Sequence, residues 1–148
     1  MLHLKKYFLF LLLSLNFFSI TYQSYSKKLQ EIDIFANGNL ISFIVEVADN
    51  PKERENGLMF RESLAQKEGM LFVFPVKKNI GIWMKNTYIP LDIIFISEKK
   101  IIQKIVSSAT PMDDTIYFSD HLTKYVLEIN AGLTKKLQIK KGNKVSFE

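Results

Sequence analysis

Residues 31–48 read EIDIFANGNLISFIVEVA, and this stretch decides the fold class. Asn37-Gly38 separates two runs in which apolar and polar residues alternate. Asn-Gly favours a two-residue type I′ turn because both positions need positive φ angles, and strict alternation puts every second side chain on one face of a strand. The stretch therefore predicts a β-hairpin with one face in the core and the other in solvent.

Similar short segments recur along the rest of the chain. Apolar runs bounded by Gly, Pro, Asn or charged pairs are typical of strands that end in tight turns. The further predicted strands span residues 70–74, 82–87, 91–97, 101–106, 124–130 and 145–147. With the hairpin they make about eight short strands, which predicts a mainly β protein, a single antiparallel β-sandwich or partly closed barrel.

Two short helical segments interrupt this pattern. Asn50 is a suitable N-cap, Pro51 suits the first helical position, and Glu53 completes a capping box by reaching back to the N-cap. These residues predict one helix over residues 51–59. Residues 132–137 predict a further helical turn.

The first 26 residues differ from the rest in composition. Lys5 and Lys6 precede a nearly continuous apolar run over residues 7–20, and small polar residues follow. This is the layout of an export signal, and the run is shorter than the ~20 residues of a membrane span. We therefore expect an export signal or N-terminal anchor at residues 1–26 and a single mainly β domain at residues 27–148. The expected location is periplasmic, or tethered to the inner membrane of a bacterium, with membrane contact only through the first segment if it is uncleaved.

Composition excludes several classes of function. The chain has no cysteine, which excludes disulfide scaffolds, zinc fingers and thiol catalysis. Two of the 20 basic residues and none of the 15 acidic residues lie in residues 1–26, so removal of that segment lowers the net charge from +5 to +3. This mild and scattered excess argues against nucleic acid as a partner. We expect a monomer that holds no metal and no cofactor.

Four motifs make the sequence recognisable. They are Arg54-x-x-Gly57-Leu58-Met59-Phe60-Arg61, then Gly69-Met70-Leu71-Phe72-Val73-Phe74, then Trp83-Met84-Lys85-Asn86-Thr87-Tyr88-Ile89-Pro90-Leu91-Asp92, and finally Leu127-Glu128-Ile129-Asn130-Ala131-Gly132. Over residues 40–148 the chain resembles the domain-of-unknown-function family 192, small bacterial and archaeal proteins that are often exported. The resemblance implies a mainly β, jelly-roll-like fold, and it supplies neither a reaction nor a catalytic residue. The chain departs from the family pattern Gly-Ile-x-x-Gly-Asp, because Gln138 and Asn143 stand where the family has Gly and Asp.

Polar side chains inside apolar strands are the candidates for a binding site. Asn86, Asp92 and Glu128 each alternate with apolar residues, and a buried amide or carboxylate needs hydrogen-bond donors or a cation as partner. We expect Arg61 and Asp92 to fix a polar group of a ligand, Asn86 to hydrogen-bond to it, and Trp83 to stack on it. The predicted pocket consists of Met59, Arg61, Trp83, Met84, Asn86, Asp92 and Glu128.

The leading interpretation is a binding module for a small polar ligand, sugar-like or peptide-like, with no chemistry of its own. The first alternative is an envelope hydrolase that uses Asp92 and Glu128 as an acid–base pair. The second is a protein-interaction module of the cell envelope, which would act through a predicted long polar loop at residues 107–120 and expose apolar side chains near it. A fourth interpretation is purely structural, with the carboxylates held in ion pairs by Arg54 or Arg61.

Overall fold

A computed structural model describes residues 27–148, and the expected export signal or anchor at residues 1–26 lies outside the described residues. The described part contains nine strands and two short helices. None of its helices has the length and apolar character needed to cross a membrane. In chain order the elements are β1 (Leu29–Ala36), β2 (Asn39–Ala48), α1 (Pro51–Asn56), β3 (Glu68–Lys78), β4 (Gly81–Ile82), β5 (Leu91–Ile96), β6 (Ile102–Ala109), β7 (Tyr117–Phe118), β8 (Thr123–Asn130), α2 (Leu133–Lys136) and β9 (Lys144–Ser146).

Seven strands form one curled sheet in the order β6-β5-β8-β3-β2-β1-β9, and β4 pairs with β7 in a small second sheet. The curl brings the two edges of the large sheet together. Ile101 forms an isolated bridge with Lys144, and the Val145 N–H donates to the Lys100 carbonyl at 2.8 Å. The prediction of a mainly β fold is therefore confirmed. Of the two arrangements expected from the sequence, a β-sandwich and a partly closed barrel, the structure shows the partly closed barrel.

The hairpin at Asn37-Gly38 is confirmed. Ala36 pairs with Asn39, which leaves a two-residue turn, and the φ angles of the two turn residues are 50° and 75°. The right-handed twist of the strands favours this turn, because its two positive φ angles match the twist. The local residue pattern was sufficient here because the interaction is local.

One pair of strands is parallel, which the alternation did not predict. Strands β2 and β3 run in the same direction, with Val45 opposite Gly69. The chain returns through α1 and the turns after it, and such a crossover is what a parallel neighbour requires. Helix α1 ends at Asn56 instead of Met59, and the Glu53 carboxylate accepts from the Asp49 N–H instead of that of the N-cap residue.

Three predicted segments differ in length. Strand β3 continues past Pro75 to Lys78, and its pairing with β8 is irregular between Val73 and Lys78. A proline, which has no N–H to donate, is tolerated in a strand at such an irregularity. The strand predicted over residues 82–87 is wrong beyond Ile82, because Asn86 has a φ of 53° and the Thr87 N–H turns back to the Met84 carbonyl at 3.1 Å. The predicted loop over residues 107–120 is also shorter, since β6 extends to Ala109 and β7 pairs within it.

The two faces of the large sheet carry separate cores. All seven strands contribute to the cluster on the inner face of the curl, where Phe43, Ile94 and Leu127 are fully buried. The outer face of β3, β5 and β8 packs against the segments that follow α1 and β3, including Leu58 and Met84. Alternation along a strand therefore decides which of two quite different environments a side chain enters.

Gly69 is required by the close approach of β3 to β8, and its replacement gives a first prediction. A Cβ at this position would lie 2.5 Å from the backbone carbonyl oxygen of Glu128, which cannot move without disturbing the sheet. We expect Gly69→Ala to lower the free energy of unfolding by about 2–3 kcal/mol in urea denaturation. Gly142→Ala is the control. A Cβ at this position would meet no described atom within 4 Å, so only the strain of a positive φ angle should lower the free energy of unfolding, by about 1 kcal/mol. Equal losses in the two variants would contradict the packing argument.

Candidate functional site

Glu128 projects from the middle of β8 onto the outer face of the sheet. It stands opposite Met70 on β3 and Ile93 on β5, and both of these neighbours belong to the apolar cluster on that face. Only 4% of Glu128 is exposed. Within residues 27–148 its carboxyl group has no hydrogen bond and no ion pair, although every fully enclosed side-chain polar atom there has a partner. The carboxyl oxygens therefore reach open space.

Burial determines the protonation state of this group. Removal from water penalises the charged form and raises the pKa of Glu128 from its ordinary value of 4.5 to about 8. At pH 7 the side chain is therefore a neutral carboxylic acid. In that form it has an O–H donor and a carbonyl acceptor, and the protein uses neither of them.

The open space is a cavity of about 190 Å³ between α1, β3, β4 and β8. Its walls are about half polar and half apolar, and they are formed by the segment that ends α1, by two side chains of β3 and by the turn after β4. The lining residues are Arg54, Glu55, Asn56, Gly57, Leu58, Met59, Phe72, Phe74, Gly81, Ile82, Trp83, Thr87 and Glu128. A concave site in which aromatic side chains lie beside convergent polar groups is a common form of small-molecule site.

Arg54 closes one side of the cavity and is itself firmly held. Its Nη1 donates to the backbone carbonyls of Asp49 at 2.6 Å and Val73 at 2.9 Å. The guanidinium carbon lies 5.3 Å from the centre of the Phe74 ring, which is a cation–π distance. The helix stops just beyond, at Gly57, where a Cβ would lie 3.2 Å from the Phe72 ring. The glycine thus lets the wall approach β3 closely.

Trp83 also lines the cavity. It is 43% exposed, so it is not a core residue, and Lys85 Nζ lies 5.0 Å from the centre of its ring. Thr87 is buried beside it and its hydroxyl donates to the Lys85 carbonyl at 3.2 Å. The turn at residues 84–87, where a strand was predicted, therefore brings the Trp83 indole and the Thr87 side chain to the same cavity.

Met59 lines the cavity and Asn86 supports it from behind. The Asn86 amide nitrogen lies 4.0 Å from the Met59 sulfur, a weak contact, and the Asn86 carbonyl accepts from the Phe60 N–H at 2.8 Å. Asn86 is absent from the lining, and its φ of 53° marks a turn residue. Met84 is fully buried in the apolar cluster beneath.

Asp92 has a structural role at a different place. Its two carboxylate oxygens accept four hydrogen bonds of 2.7–3.0 Å: three from the N–H groups of Ser108, Gly132 and Thr134, and one from the Thr134 hydroxyl. The side chain is fully buried and fixes the start of α2 against the sheet. The prediction that an arginine would neutralise it is wrong, because N–H and hydroxyl donors satisfy it.

The acid–base pair expected for a hydrolase does not exist. Asp92 stands opposite Ile129, which belongs to the inner core, whereas Glu128 stands opposite Ile93 in the outer cluster. Residues that face one another on neighbouring strands share a face, so the two carboxyl groups project to opposite sides of the sheet. They cannot act on one substrate, and the hydrolase interpretation built on them is wrong.

Arg61 is committed to another partner. It makes two hydrogen bonds to the Glu46 carboxylate, at 2.6 and 2.5 Å, the fork-to-fork geometry that suits a guanidinium and a carboxylate. The bond to Arg61 holds the pKa of Glu46 below its usual value. The pair lies at a neighbouring surface depression that Met70 and Asn56 also line, and not at the cavity.

The structure thus brings together three of the seven predicted site residues: Met59, Trp83 and Glu128. The expected convergence of the other four is wrong, since Arg61, Met84, Asn86 and Asp92 lie elsewhere. Three further lining residues were not predicted from the sequence, Phe72, Phe74 and Thr87, and Arg54 was predicted only as an ion-pair partner. All four belong to the recognised motifs, so those motifs were the available signal.

The described residues contain no group of three or more His, Asp or Glu side chains arranged to hold a metal ion. At the cavity the chemistry available is contact with aromatic rings and hydrogen bonding by the Glu128 acid, the Glu55 carboxylate, the Asn56 amide, the Thr87 hydroxyl and the remaining donors of the Arg54 guanidinium.

Comparison with known proteins gives consistent results. The chain is 29% identical over 105 residues to a UPF0127 protein of Pyrococcus abyssi (strain GE5 / Orsay), which covers 70% of this chain and 85% of that protein. Two crystal structures are similar. A Sinorhizobium meliloti 1021 protein, named provisionally as a transcription regulator, has a TM-score of 0.81 and 36% identity over 82% of this chain and 95% of its own. A Novosphingobium aromaticivorans DSM 12444 protein of unknown function has a TM-score of 0.80 and 35% identity over 84% of this chain and 89% of its own.

The resemblance seen in the motifs is confirmed by a family model that matches residues 32–147, nearly all of the described chain. The chain belongs to the DUF192 family, described as Uncharacterized ACR.

Proposed function

We propose that this protein is an exported binding module whose ligand, small and polar and either sugar-like or peptide-like, occupies the cavity at Glu128. The observation that carries the proposal is the unpaired Glu128 carboxyl. Removal of this carboxyl from bulk water costs stability, as its raised pKa shows, and no group within residues 27–148 compensates it, so a functional role is the best explanation for its presence. A ligand that hydrogen-bonds to Glu128 would restore the missing partner.

The rest of the cavity supports a binding role without chemistry. Apart from Arg54 and Glu55 on α1, Glu128 is the only titratable group among the lining residues. The Thr87 hydroxyl is engaged with a backbone carbonyl, so it is not an activated nucleophile. Trp83 and Phe72 offer flat apolar surface against which a sugar or peptide-like group can pack.

The export part of the proposal is supported by the composition of residues 1–26 alone. The ligand would accordingly be a compound of the cell envelope or its surroundings.

A thermal-shift panel tests the binding role. The full chain is mixed with glucose, N-acetylglucosamine, glycylglycine and 2-pyrrolidinone, and at least one of them, at about ten times its Kd, is expected to raise Tm by roughly 3–6 °C. Glu128→Leu and Trp83→Ala should lose most of that shift. Glu31→Gln, an exposed carboxyl-to-amide change on β1, is the matched control and should keep it. Asp92→Asn should also keep the shift, because Asp92 does not reach the cavity.

A protein-interaction module is the second candidate, because one specific observation favours it. Large apolar side chains are exposed on and near the segment expected to carry such a surface: Tyr88, Met112, Ile116, Phe118 and Leu122. Scattered apolar side chains are common on surfaces, whereas a cluster near one loop is typical of an interface. A thermal-shift panel with no response from any compound would contradict the ligand-binding proposal and favour this candidate.

A further inference from the structure

The Glu128 cavity also indicates the chemical class of its ligand, an inference that rests on the proposed function. We propose that the cavity takes a small neutral molecule with a cis-amide or primary-amide edge. The amide carbonyl oxygen accepts a hydrogen bond from the Glu128 carboxylic acid, and the amide N–H donates one back to the Glu128 carbonyl oxygen.

The hydrogen-bonding groups of the site match that edge. A neutral carboxylic acid offers one donor and one acceptor side by side, and within residues 27–148 both are unused at Glu128. A lactam or primary amide offers one acceptor and one donor side by side in the complementary order. A lone carbonyl would leave the acceptor of the acid unused, and a single hydroxyl would have to donate and accept through one oxygen atom, which fits the two oxygens of the acid less well than the two atoms of an amide edge.

The charges around the cavity favour a neutral ligand. On α1 the guanidinium of Arg54 and the carboxylate of Glu55 offset one another. The parts of β3 and β4 that line the cavity contribute no charge, and Glu128 itself is uncharged below pH 8 because burial raises its pKa to about 8. The lining therefore carries no net charge under neutral conditions.

A cationic ligand is disfavoured by the occupied aromatic faces. Arg54 and Lys78 already lie 5.3 and 5.5 Å from the centre of the Phe74 ring, and Lys85 lies 5.0 Å from that of Trp83. An ammonium group entering beside these rings would meet aromatic faces that already carry a cation. It would also favour the ionised form of Glu128, which burial disfavours.

An anionic ligand finds little to hold it. The Nη1 atom of Arg54 is engaged with two backbone carbonyls, so the guanidinium cannot turn its whole fork towards a carboxylate. Above pH 8 the ionised Glu128 would repel an anion directly. The walls formed by Leu58, Phe72 and Ile82 suit an apolar ring, and the cavity of about 190 Å³ suits a small one.

The test uses three probes of similar size and different charge: 2-pyrrolidinone, butylammonium and butyrate. Each is titrated into the full chain at pH 6, 7, 8 and 9 and followed by NMR shifts of residues around the cavity. The lactam is expected to bind with a Kd that is constant below pH 7 and weakens towards about tenfold per pH unit above 8, as the acid ionises. N-methylpyrrolidinone, which lacks the N–H, should bind about tenfold more weakly.

Two variants separate the contribution of the acid from simple packing. Glu128→Gln keeps a donor and an acceptor, so it should retain lactam binding and lose its pH dependence. Glu128→Leu keeps the apolar volume and should weaken binding more than tenfold. Equal lactam affinity in Glu128→Leu and the unmodified chain would overturn the inference.

The remaining outcomes distinguish the inference from the proposed function. Preferred binding of butylammonium, tightening as pH rises towards 8, would assign an amine ligand. Preferred binding of butyrate would assign an anion. Either result overturns the amide inference and leaves Glu128 as the ligand-binding group. If no probe shifts the cavity residues at any pH, the inference and the proposed cavity function both fail.

Discussion

Replacing Asp92 with asparagine is expected to lower the free energy of unfolding by about 3 kcal/mol or more. The Asp92 carboxylate accepts four hydrogen bonds in a fully buried position, two on each oxygen. In the variant an amide N–H₂ must replace one oxygen. It would face either the N–H groups of Ser108 and Gly132 or that of Thr134, donor against donor, and leave them unsatisfied. Urea denaturation at pH 7 measures the loss.

Thr134→Val is the matched comparison for this prediction. It removes one of the four hydrogen bonds, the 2.7 Å bond from the Thr134 hydroxyl, and leaves the carboxylate and its three N–H donors in place. We expect a loss of about 1 kcal/mol. If Asp92→Asn costs no more than Thr134→Val, the carboxylate does not anchor α2 as described.

Glu128 gives the second large effect, a stability that falls as pH rises. The carboxyl ionises near its ordinary pKa of 4.5 in the unfolded chain and near 8 in the folded protein. Between these values the folded state binds more protons than the unfolded state, so raising the pH favours unfolding. The slope approaches 1.4 kcal/mol per pH unit between the two pKa values, which amounts to about 3.5 kcal/mol from pH 5 to pH 8. At pH 8 the folded state is half ionised, and the contribution levels off above that pH.

Glu128→Gln removes the titrating group and keeps nearly the same shape. The free energy of unfolding of the unmodified chain minus that of Glu128→Gln should therefore decrease steadily from pH 5 to pH 8 and then become constant. Urea denaturation at one-unit intervals from pH 5 to pH 9 measures it. Glu31→Gln, an exposed control, should run parallel to the unmodified chain. Parallel curves for Glu128→Gln as well would mean that Glu128 is ionised in the folded state, contrary to its burial.

These predictions differ because the two buried carboxyl groups have different surroundings. Asp92 is satisfied by four donors, and its loss damages the fold. Glu128 has no hydrogen-bond or ion-pair partner among residues 27–148 and lowers stability at neutral pH, so this part of the fold gains nothing from it. Glu128 costs stability and faces a cavity, so it is a candidate for a functional residue. Asp92 anchors a helix, and this structural role is sufficient to account for it.

Local patterns in the sequence predicted the local structure. The Asn37-Gly38 turn, the cap at Asn50 and the strand alternation all depend on residues close together in the chain, and the mainly β fold followed from them. The segment over residues 82–87 failed because its alternation continued through a turn. The positive φ of Asn86 is stabilised by a contact with Phe60, far away in sequence.

The sequence by itself determined the fold class, the hairpin and the family resemblance. It also showed that apolar strands contain polar residues whose burial requires hydrogen-bond partners. Only the tertiary structure decided which of those residues meet. Strand pairing places Asp92 and Glu128 on opposite faces of one sheet, with Glu128 beside the open cavity. The segment after α1 brings Arg61 to Glu46 on β2. The physical reason is that register and sheet order are set by contacts between distant segments, and a single step along a strand reverses the face to which a side chain points.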